Sequence, residues 1–259
     1  MQRYLIAMRA MITRNLINMR RYVFNTISML VTFYIVFMLL FLGVRGIGGA
    51  ALASGNTLEG LIVGYLLWML SLSAYSDLAW DLNQEAQVGT LEQLYVSPIG
   101  FNWLNAFNLI SGLVLSFVIS GVLLVVMMLS TGKYLSVDLI SVLPLMILSL
   151  LGVYGIGFAM GGLALIFKRI QAFFQIFQFV FVAFLALPLD RFPWAQFLPL
   201  TMGGHLLRQV MIHGTRLWEL PASSVAVVVV TGVSYLAVGL AVFEWSARIA
   251  KRKGLLGHY

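Results

Sequence analysis

Long hydrophobic runs with almost no charge alternate with short polar segments along the chain. A helix needs about 20 apolar residues to cross the hydrocarbon core of a bilayer, and six runs approach or exceed that length. The pattern predicts an all-α membrane protein with one transmembrane domain over residues 1–259. The six predicted spans are residues 22–44, 60–76, 102–129, 139–167, 170–189 and 221–243.

Residues 1–21 have apolar and basic positions on opposite sides of a helical wheel. Asn15 interrupts the apolar arc, and the arginines lie across from it. This pattern predicts an amphipathic helix that lies at the membrane interface, packs on the rest of the protein, or does both. The apolar arc consists of Tyr4, Leu5, Met8, Met11, Ile12, Leu16 and Met19.

The segment 190–220 is too short and too interrupted by proline to cross the bilayer twice. Apolar residues recur at helical spacing from Leu206 onwards. We therefore expect an extracellular hairpin of two short re-entrant or interfacial helices. Its candidate functional residues are Pro199, His205 and Arg208.

Composition and charge place the chain in a membrane. Hydrophobic residues make up 61% of it and charged residues 10%, which is far from the balance of a soluble domain. The net charge of +7 comes from basic residues beside apolar runs, a placement that does not fit a nucleic-acid groove. Eleven of the 16 Lys and Arg residues fall on the side of the termini. The positive-inside rule then predicts a multi-pass plasma-membrane (inner-membrane) protein with both termini cytoplasmic.

Several chemistries lack the residues they need. The absence of cysteine excludes disulfides and thiolate nucleophiles. No Asp, Glu, Lys or Arg lies deep in a predicted span, which argues against an ion-coupled carrier or a charged channel filter. His205 and His213 are interpreted as surface residues rather than metal ligands. We therefore predict no catalytic residue, no metal and no cofactor bound by this chain.

The most polar stretch, "EAQVGTLEQLYVSP" at residues 85–98, has two carboxylates and no basic residue. Asp77, Asp81 and Glu85 recur every fourth residue and share one face of a helix that leaves the second span.

Local signals predict that this loop is rigid. Gly89 can end the preceding helix, and Thr90 with Gln93 has the spacing of a capping box. Ser97 and Pro98 suit the N-cap and first position of the next helix. The loop is then either a lever pressed by a soluble partner or an ordinary solvated connection.

This loop resembles the signature of the type-2 family of ABC-transporter membrane subunits, which share the architecture of the ABCG exporters. In that family the loop forms a coupling helix that contacts the ATPase. The segment "PLTMGGHLLR" at residues 199–208 resembles the family's Pro-Leu…Leu-Arg segment before the last span. The matching loop residues are Glu85, Gly89, Thr90, Leu91, Glu92, Leu94, Ser97 and Pro98.

The resemblance implies a permease subunit that works as a homodimer, or with a close paralogue, and with two separate ATPase subunits. Those partners would hold the ATP and Mg, because this chain has no GxxxxGK[ST] phosphate loop. The cargo would be an amphiphile such as a drug, a lipid or a lipid-linked glycan, exported by alternating access. The short segment 190–220 makes an elaborate extracellular lid unexpected. The alternatives are an integral-membrane enzyme and a channel or carrier outside the ABC class.

The fifth predicted span carries a polar stripe, because its glutamines recur at i, i+4 and i+7. The family places this span beside a central passage between the two copies. The stripe then either lines the route of an amphiphile or supplies hydrogen bonds between helices. The candidate pathway residues are Gln171, Phe174, Gln175, Gln178 and Phe181.

Overall fold

The computed structural model describes residues 2–47, 57–88, 100–167 and 171–252. This part of the chain is helical and contains no strand. Short 3₁₀ turns occur at Pro193–Phe197 and Leu217–Glu219. The α-helices are α1 (Gln2–Arg21), α2 (Val23–Ile47), α3 (Thr57–Val88), α4 (Phe101–Thr131), α5 (Leu139–Ile166), α6 (Gln171–Ala186), α7 (Thr201–His213) and α8 (Ala222–Arg252).

Five helices of the described part are long and apolar enough to cross a membrane, which makes this a helical, membrane-embedded protein with several spans. The fifth predicted span, 170–189, is not among these five; it corresponds to α6, which has only 16 residues. A helix of that length extends about 24 Å, less than the hydrocarbon thickness of about 30 Å. The five are Val23–Gly46, Thr57–Asp77, Ala106–Thr131, Leu139–Ile166 and Ala222–Arg252.

The helices define two ends of the bundle. At the hairpin end, α2, α4 and α6 finish, α3, α5 and α8 begin, and α7 lies between them. The opposite end contains α1 and is called the α1 end. Asp138 caps the start of α5 at the hairpin end, where its carboxylate accepts from the amide of Ile140. The amide of Ser136 donates to the carbonyl of Met211, 2.8 Å away, and so ties this connection to α7.

Glycines bring α5 into close contact with α8 and α3. A Cβ on Gly239 of α8 would collide with the backbone of Gly155, and a Cβ on Gly155 would collide with that of Tyr235. On another side of α5, a Cβ on Gly157 would lie 2.8 Å from the carbonyl oxygen of Ala74 in α3. Small residues are what allow helix backbones to approach this closely. Helix α5 is therefore the centre of the bundle.

Helix α1 covers the residues predicted to form the amphipathic helix, and it packs on α4. The side-chain amide of Asn15 donates to Ser111 at 3.0 Å and to Asn108 at 3.3 Å, both on α4. Asn15 therefore interrupts the apolar arc because it reaches polar partners on a neighbouring helix. Leu5 and Ile17 remain 66% and 58% exposed, so α1 packs on the protein and still presents an apolar surface.

Candidate functional site

Helix α3 leads directly into the acidic loop. Its 32 residues run without a break and extend about 48 Å. The apolar part ends at Asp77, so about three further turns carry the positions of Asp81 and Glu85 beyond it. Glu85 lies in the last two turns of α3, but its side chain is not described. The other predicted coupling residues lie outside the described part of the chain: Gly89, Thr90, Leu91, Glu92, Leu94, Ser97 and Pro98.

At the hairpin end, α7 packs closely against α5 and α6. Gly203 and Gly204 make this possible: a Cβ on Gly203 would collide with Ser149 of α5, and one on Gly204 would lie 2.8 Å from Cδ2 of Leu185. Leu200, which precedes α7, has a φ of 70°, a conformation rare for a residue with a side chain. In α7 the apolar residues that recur at helical spacing in the sequence are buried: Leu206, Leu207, Val210 and Met211.

Two side chains of α7 bind the end of α6. The hydroxyl of Thr201 donates to the carbonyl of Phe184 at 3.0 Å. The guanidinium of Arg208 donates through Nη2 to the carbonyl of Leu185, also at 3.0 Å. Both carbonyls lie in the last turn of α6, where no following helical amide is available to them. A positive charge there also complements the helix dipole, so α7 fixes the position of α6.

A cavity of about 920 Å³ opens between α2, α3, α6 and α7. Its walls are mostly apolar, and its polar side chains come chiefly from α7. The apolar walls include Val36, Leu40, Leu61, Trp68, Phe179 and Val182; the polar side chains of α7 in the lining are His205, Arg208, Gln209 and His213.

Arg208 reaches this cavity over two glycines of α3. A Cβ on Gly64 would lie 3.2 Å from its Nη2, and one on Gly60 would lie 3.9 Å from its Nε. That Nε is buried and has no hydrogen-bond partner among the residues that the structure describes. The burial lowers the pKa of Arg208, although arginine remains charged in proteins. Within the described ranges, no carboxylate forms an ion pair with this guanidinium.

His205 lies one turn before Arg208 on α7. Its Nε2 is 3.2 Å from the side-chain amide of Gln209. Burial lowers the pKa of His205, the charge of Arg208 lowers it further, and Asp190 opposes this shift. No group of three or more His, Asp or Glu residues comes together to hold a metal in the described part of the chain.

The predicted pathway residues of α6 differ in how far they are exposed, and Gln178 is half-buried. Gln175 is exposed, whereas Phe181 is completely buried in the core of this chain. The backbone carbonyl of Gln178 accepts from Nε1 of Trp68 at 3.0 Å, and that of Phe174 accepts from the hydroxyl of Tyr75 at 2.7 Å. The side chain of Gln171 is not described.

Sequence reasoning missed the contribution of α3 to the cavity. Gly60 and Gly64 leave room for the guanidinium, and the aromatic rings of Tyr65 and Trp68 form part of the wall. The glycine spacing of four residues was a visible signal for a close contact on that face. Nothing local indicated that Arg208 would be the contacting residue.

Comparisons with protein families, curated proteins and solved structures found no match to the chain. The class of protein therefore follows from architecture alone. It is a helical membrane protein in which one continuous helix joins an acidic end to a cavity at the opposite end.

Proposed function

We propose that this chain is the membrane-spanning permease subunit of an ATP-driven exporter of the ABC type-2 class. Two copies would work with two separate ATPase subunits, which hold ATP and Mg. The observation that carries the proposal is the continuity of α3. Gly64 and Trp68 lie near the start of α3 and line the cavity, and Glu85 lies near the end of the same helix. The 21-residue separation of Gly64 and Glu85 corresponds to about 32 Å of helix.

This geometry supports coupling between the two ends. An α-helix resists compression because each turn is hydrogen-bonded to the next. A displacement imposed on the acidic end of α3 therefore moves the residues that form the cavity wall. Trp68 would pass this movement to α6, since its indole donates to the carbonyl of Gln178.

Topology completes the proposal. The eleven basic residues on the side of the termini favour a cytoplasmic α1 end, which would face the ATPases. Helix α6 would form the fifth span, with α7 and the 3₁₀ turns as the extracellular hairpin. The exposed apolar side of α1 would lie against the membrane interface. The cargo would be an amphiphile that moves between two copies by alternating access, with Phe174 and Gln175 in contact with it.

The coupling role is tested by charge reversal. The chain is purified with the ATPase that accompanies it, reconstituted into vesicles and assayed for substrate-stimulated ATP hydrolysis and export. Together, Glu85→Lys and Glu92→Lys should abolish the stimulation while the complex stays folded. Glu244→Lys is the matched control, because Glu244 is an exposed carboxylate on α8 at the same end. Unchanged hydrolysis and export in the double variant would overturn the coupling role, and failure of any ATPase to co-purify would overturn the class.

A further inference from the structure

We propose that the cavity at the hairpin end binds an amphiphile whose oxyanion headgroup pairs with the guanidinium of Arg208. The hydrocarbon part of the ligand would lie against α2 and α6. This inference deepens the proposed function, on which it rests, because it names the chemical class of the cargo. The binding itself does not require an ATPase.

The shape and lining of the cavity suit an amphiphile. A volume of about 920 Å³ is within the range of small-molecule sites, roughly 300–1,000 Å³. The cavity is open, because Leu40 on α2 and Phe179 on α6 belong to its wall and are 49% and 68% exposed. In a membrane this exposed surface would face hydrocarbon. A ligand with an alkyl chain can therefore extend between the two helices without leaving an apolar environment.

The positive charge of Arg208 is not balanced by a carboxylate in the described ranges. Arg208 is half-buried and donates through Nη2 to the carbonyl of Leu185, while its buried Nε has no hydrogen-bond partner in the described part of the chain. Removing a charge from water is unfavourable unless an opposite charge and hydrogen bonds replace the water. No carboxylate in the described ranges does so for Arg208. An oxyanion would, because the planar guanidinium can donate two parallel hydrogen bonds to phosphate or carboxylate.

The neighbouring backbone of α3 leaves space for the guanidinium of Arg208. Gly60 and Gly64 lie one turn apart on α3 beneath the side chain of Arg208, and a methyl group on Gly64 would crowd its Nη2. The guanidinium is also held from the other side by the end of α6. An arginine held in this way loses little further side-chain freedom when a ligand binds, which favours affinity.

His205 and Gln209 extend the polar part of the site. Both line the same cavity as Arg208 and are linked to each other by a 3.2 Å contact. A bound anion would favour the protonated form of His205 and so gain a second positive partner. The site therefore combines one polar corner on α7 with apolar walls on the other helices, which matches an ionic headgroup with a hydrocarbon tail.

Binding is measured on the full purified chain in dodecyl maltoside micelles, without an ATPase, by native mass spectrometry. The probes are dioleoylphosphatidylglycerol and dioleoylglycerol, which share their tails but differ in the anion. Sodium phosphate, the anion without tails, is added as a competitor. We expect the phospholipid to bind more tightly than the diacylglycerol by about tenfold, and Arg208→Gln to remove that preference. Arg191→Gln, an exposed arginine at the same end outside the cavity, should keep it.

A second pair of variants leaves the arginine untouched. Leu40→Trp places a larger side chain in the cavity wall and should weaken phospholipid binding about tenfold. Leu39→Trp is its control, because Leu39 is exposed on the same helix and does not line the cavity. If Arg208→Gln does not fold, this pair decides the question. Three results overturn the proposal: equal binding of the two lipids by the wild type, retained preference in folded Arg208→Gln, or equal effects of the two tryptophans.

The lipid-binding site and the transport function can be disproved independently of each other. Loss of Arg208-dependent lipid binding leaves ATPase association and coupling through α3 intact. Conversely, Arg208-dependent binding by a chain that associates with no ATPase would leave the site standing and remove the transport function.

Discussion

The guanidinium of Arg208 lies directly against the backbone of Gly64, so that a methyl group on this glycine would come within 3.2 Å of Nη2. The two residues belong to α7 and α3, and their contact fixes the arginine that also binds the end of α6. Three helices of the cavity therefore meet at one side chain.

Gly64→Ala should displace this side chain and weaken its bond to Leu185. Gly60→Ala is the matched control, because its methyl group would make only an ordinary contact at 3.9 Å. Both changes raise helix propensity equally, so the difference between them reports the contact. We expect Gly64→Ala to be less stable than Gly60→Ala by about 1 kcal/mol in the free energy of unfolding, measured by SDS titration in micelles. Equal stabilities would show that the guanidinium moves away without loss.

The hydroxyl of Thr201 caps the end of α6 and can be removed almost without a change in shape. Thr201→Val should lower the free energy of unfolding by about 1 kcal/mol, because the carbonyl of Phe184 loses its donor. Thr231→Val serves as the control, since that hydroxyl bonds to the carbonyl of Val227 within its own helix, where the backbone amide still provides a partner. A control that destabilises as much as Thr201→Val would contradict the capping role.

The contact between α5 and α8 leaves no space for a side chain at Gly239. Gly239→Ala forces the two backbones apart and should lower the free energy of unfolding by about 2 kcal/mol. Gly121→Ala, on α4, provides the opposite case, because no atom of the described residues lies within 4 Å of the added methyl group. We expect Gly121→Ala to be neutral or to stabilise by about 0.5–1 kcal/mol through helix propensity. Helical circular dichroism during SDS titration measures both.

Helical periodicity was visible in the sequence at residues 1–21 and from Leu206 onwards, where the structure has α1 and α7. The arc of α1 and the buried face of α7 follow from residues that recur every three or four positions. The hydrogen-bond partners of Asn15 could not be predicted from periodicity. A helical wheel shows that a polar residue interrupts an apolar arc, but not that Asn108 and Ser111 of another helix will receive it.

The candidate site was harder to predict because its parts are distant in sequence. A wheel of α6 groups Gln175 with Gln178, but it does not show which side packs against α3. Trp68 and Tyr75 of α3 donate hydrogen bonds to backbone carbonyls of α6, and these bonds set which side of α6 faces α3. Because they involve the backbone, the side-chain pattern of α6 does not reveal them. The Arg208 site likewise depends on glycines of another helix, and no local pattern connects the two.

Stability should depend on pH through His205. Its pKa is lower in the folded chain than the ordinary value of about 6.5, so the unfolded chain takes up the proton at a higher pH. The contribution of neutral His205 is therefore complete above about pH 6.5 and is lost as the pH falls towards the folded pKa. The melting temperature of the wild type should fall more between pH 8 and pH 5 than that of His205→Gln.

A second variant checks the cause of this shift. Asp190 raises the pKa of His205 and so limits the difference between the folded and unfolded chains. Asp190→Asn should remove this opposing effect and make the melting temperature fall more steeply below pH 6.5 than in the wild type. Equal slopes for the wild type and His205→Gln would show that other groups control the acid response.

Single introduced cysteines can report whether a position on α6 contacts water, because the native chain has no cysteine. Gln175 is exposed, whereas Phe181 is completely buried. A membrane-impermeant maleimide needs water and an ionised thiol to react. If Gln175 lines an aqueous route between two copies, Gln175→Cys should be labelled, and the labelling should differ between nucleotide-free and ATP-trapped complexes. Phe181→Cys should stay unlabelled in both states. If position 175 is unlabelled in both states and export is normal, that side of α6 lies against lipid or protein. The Arg208 cavity would then remain as the proposed substrate contact.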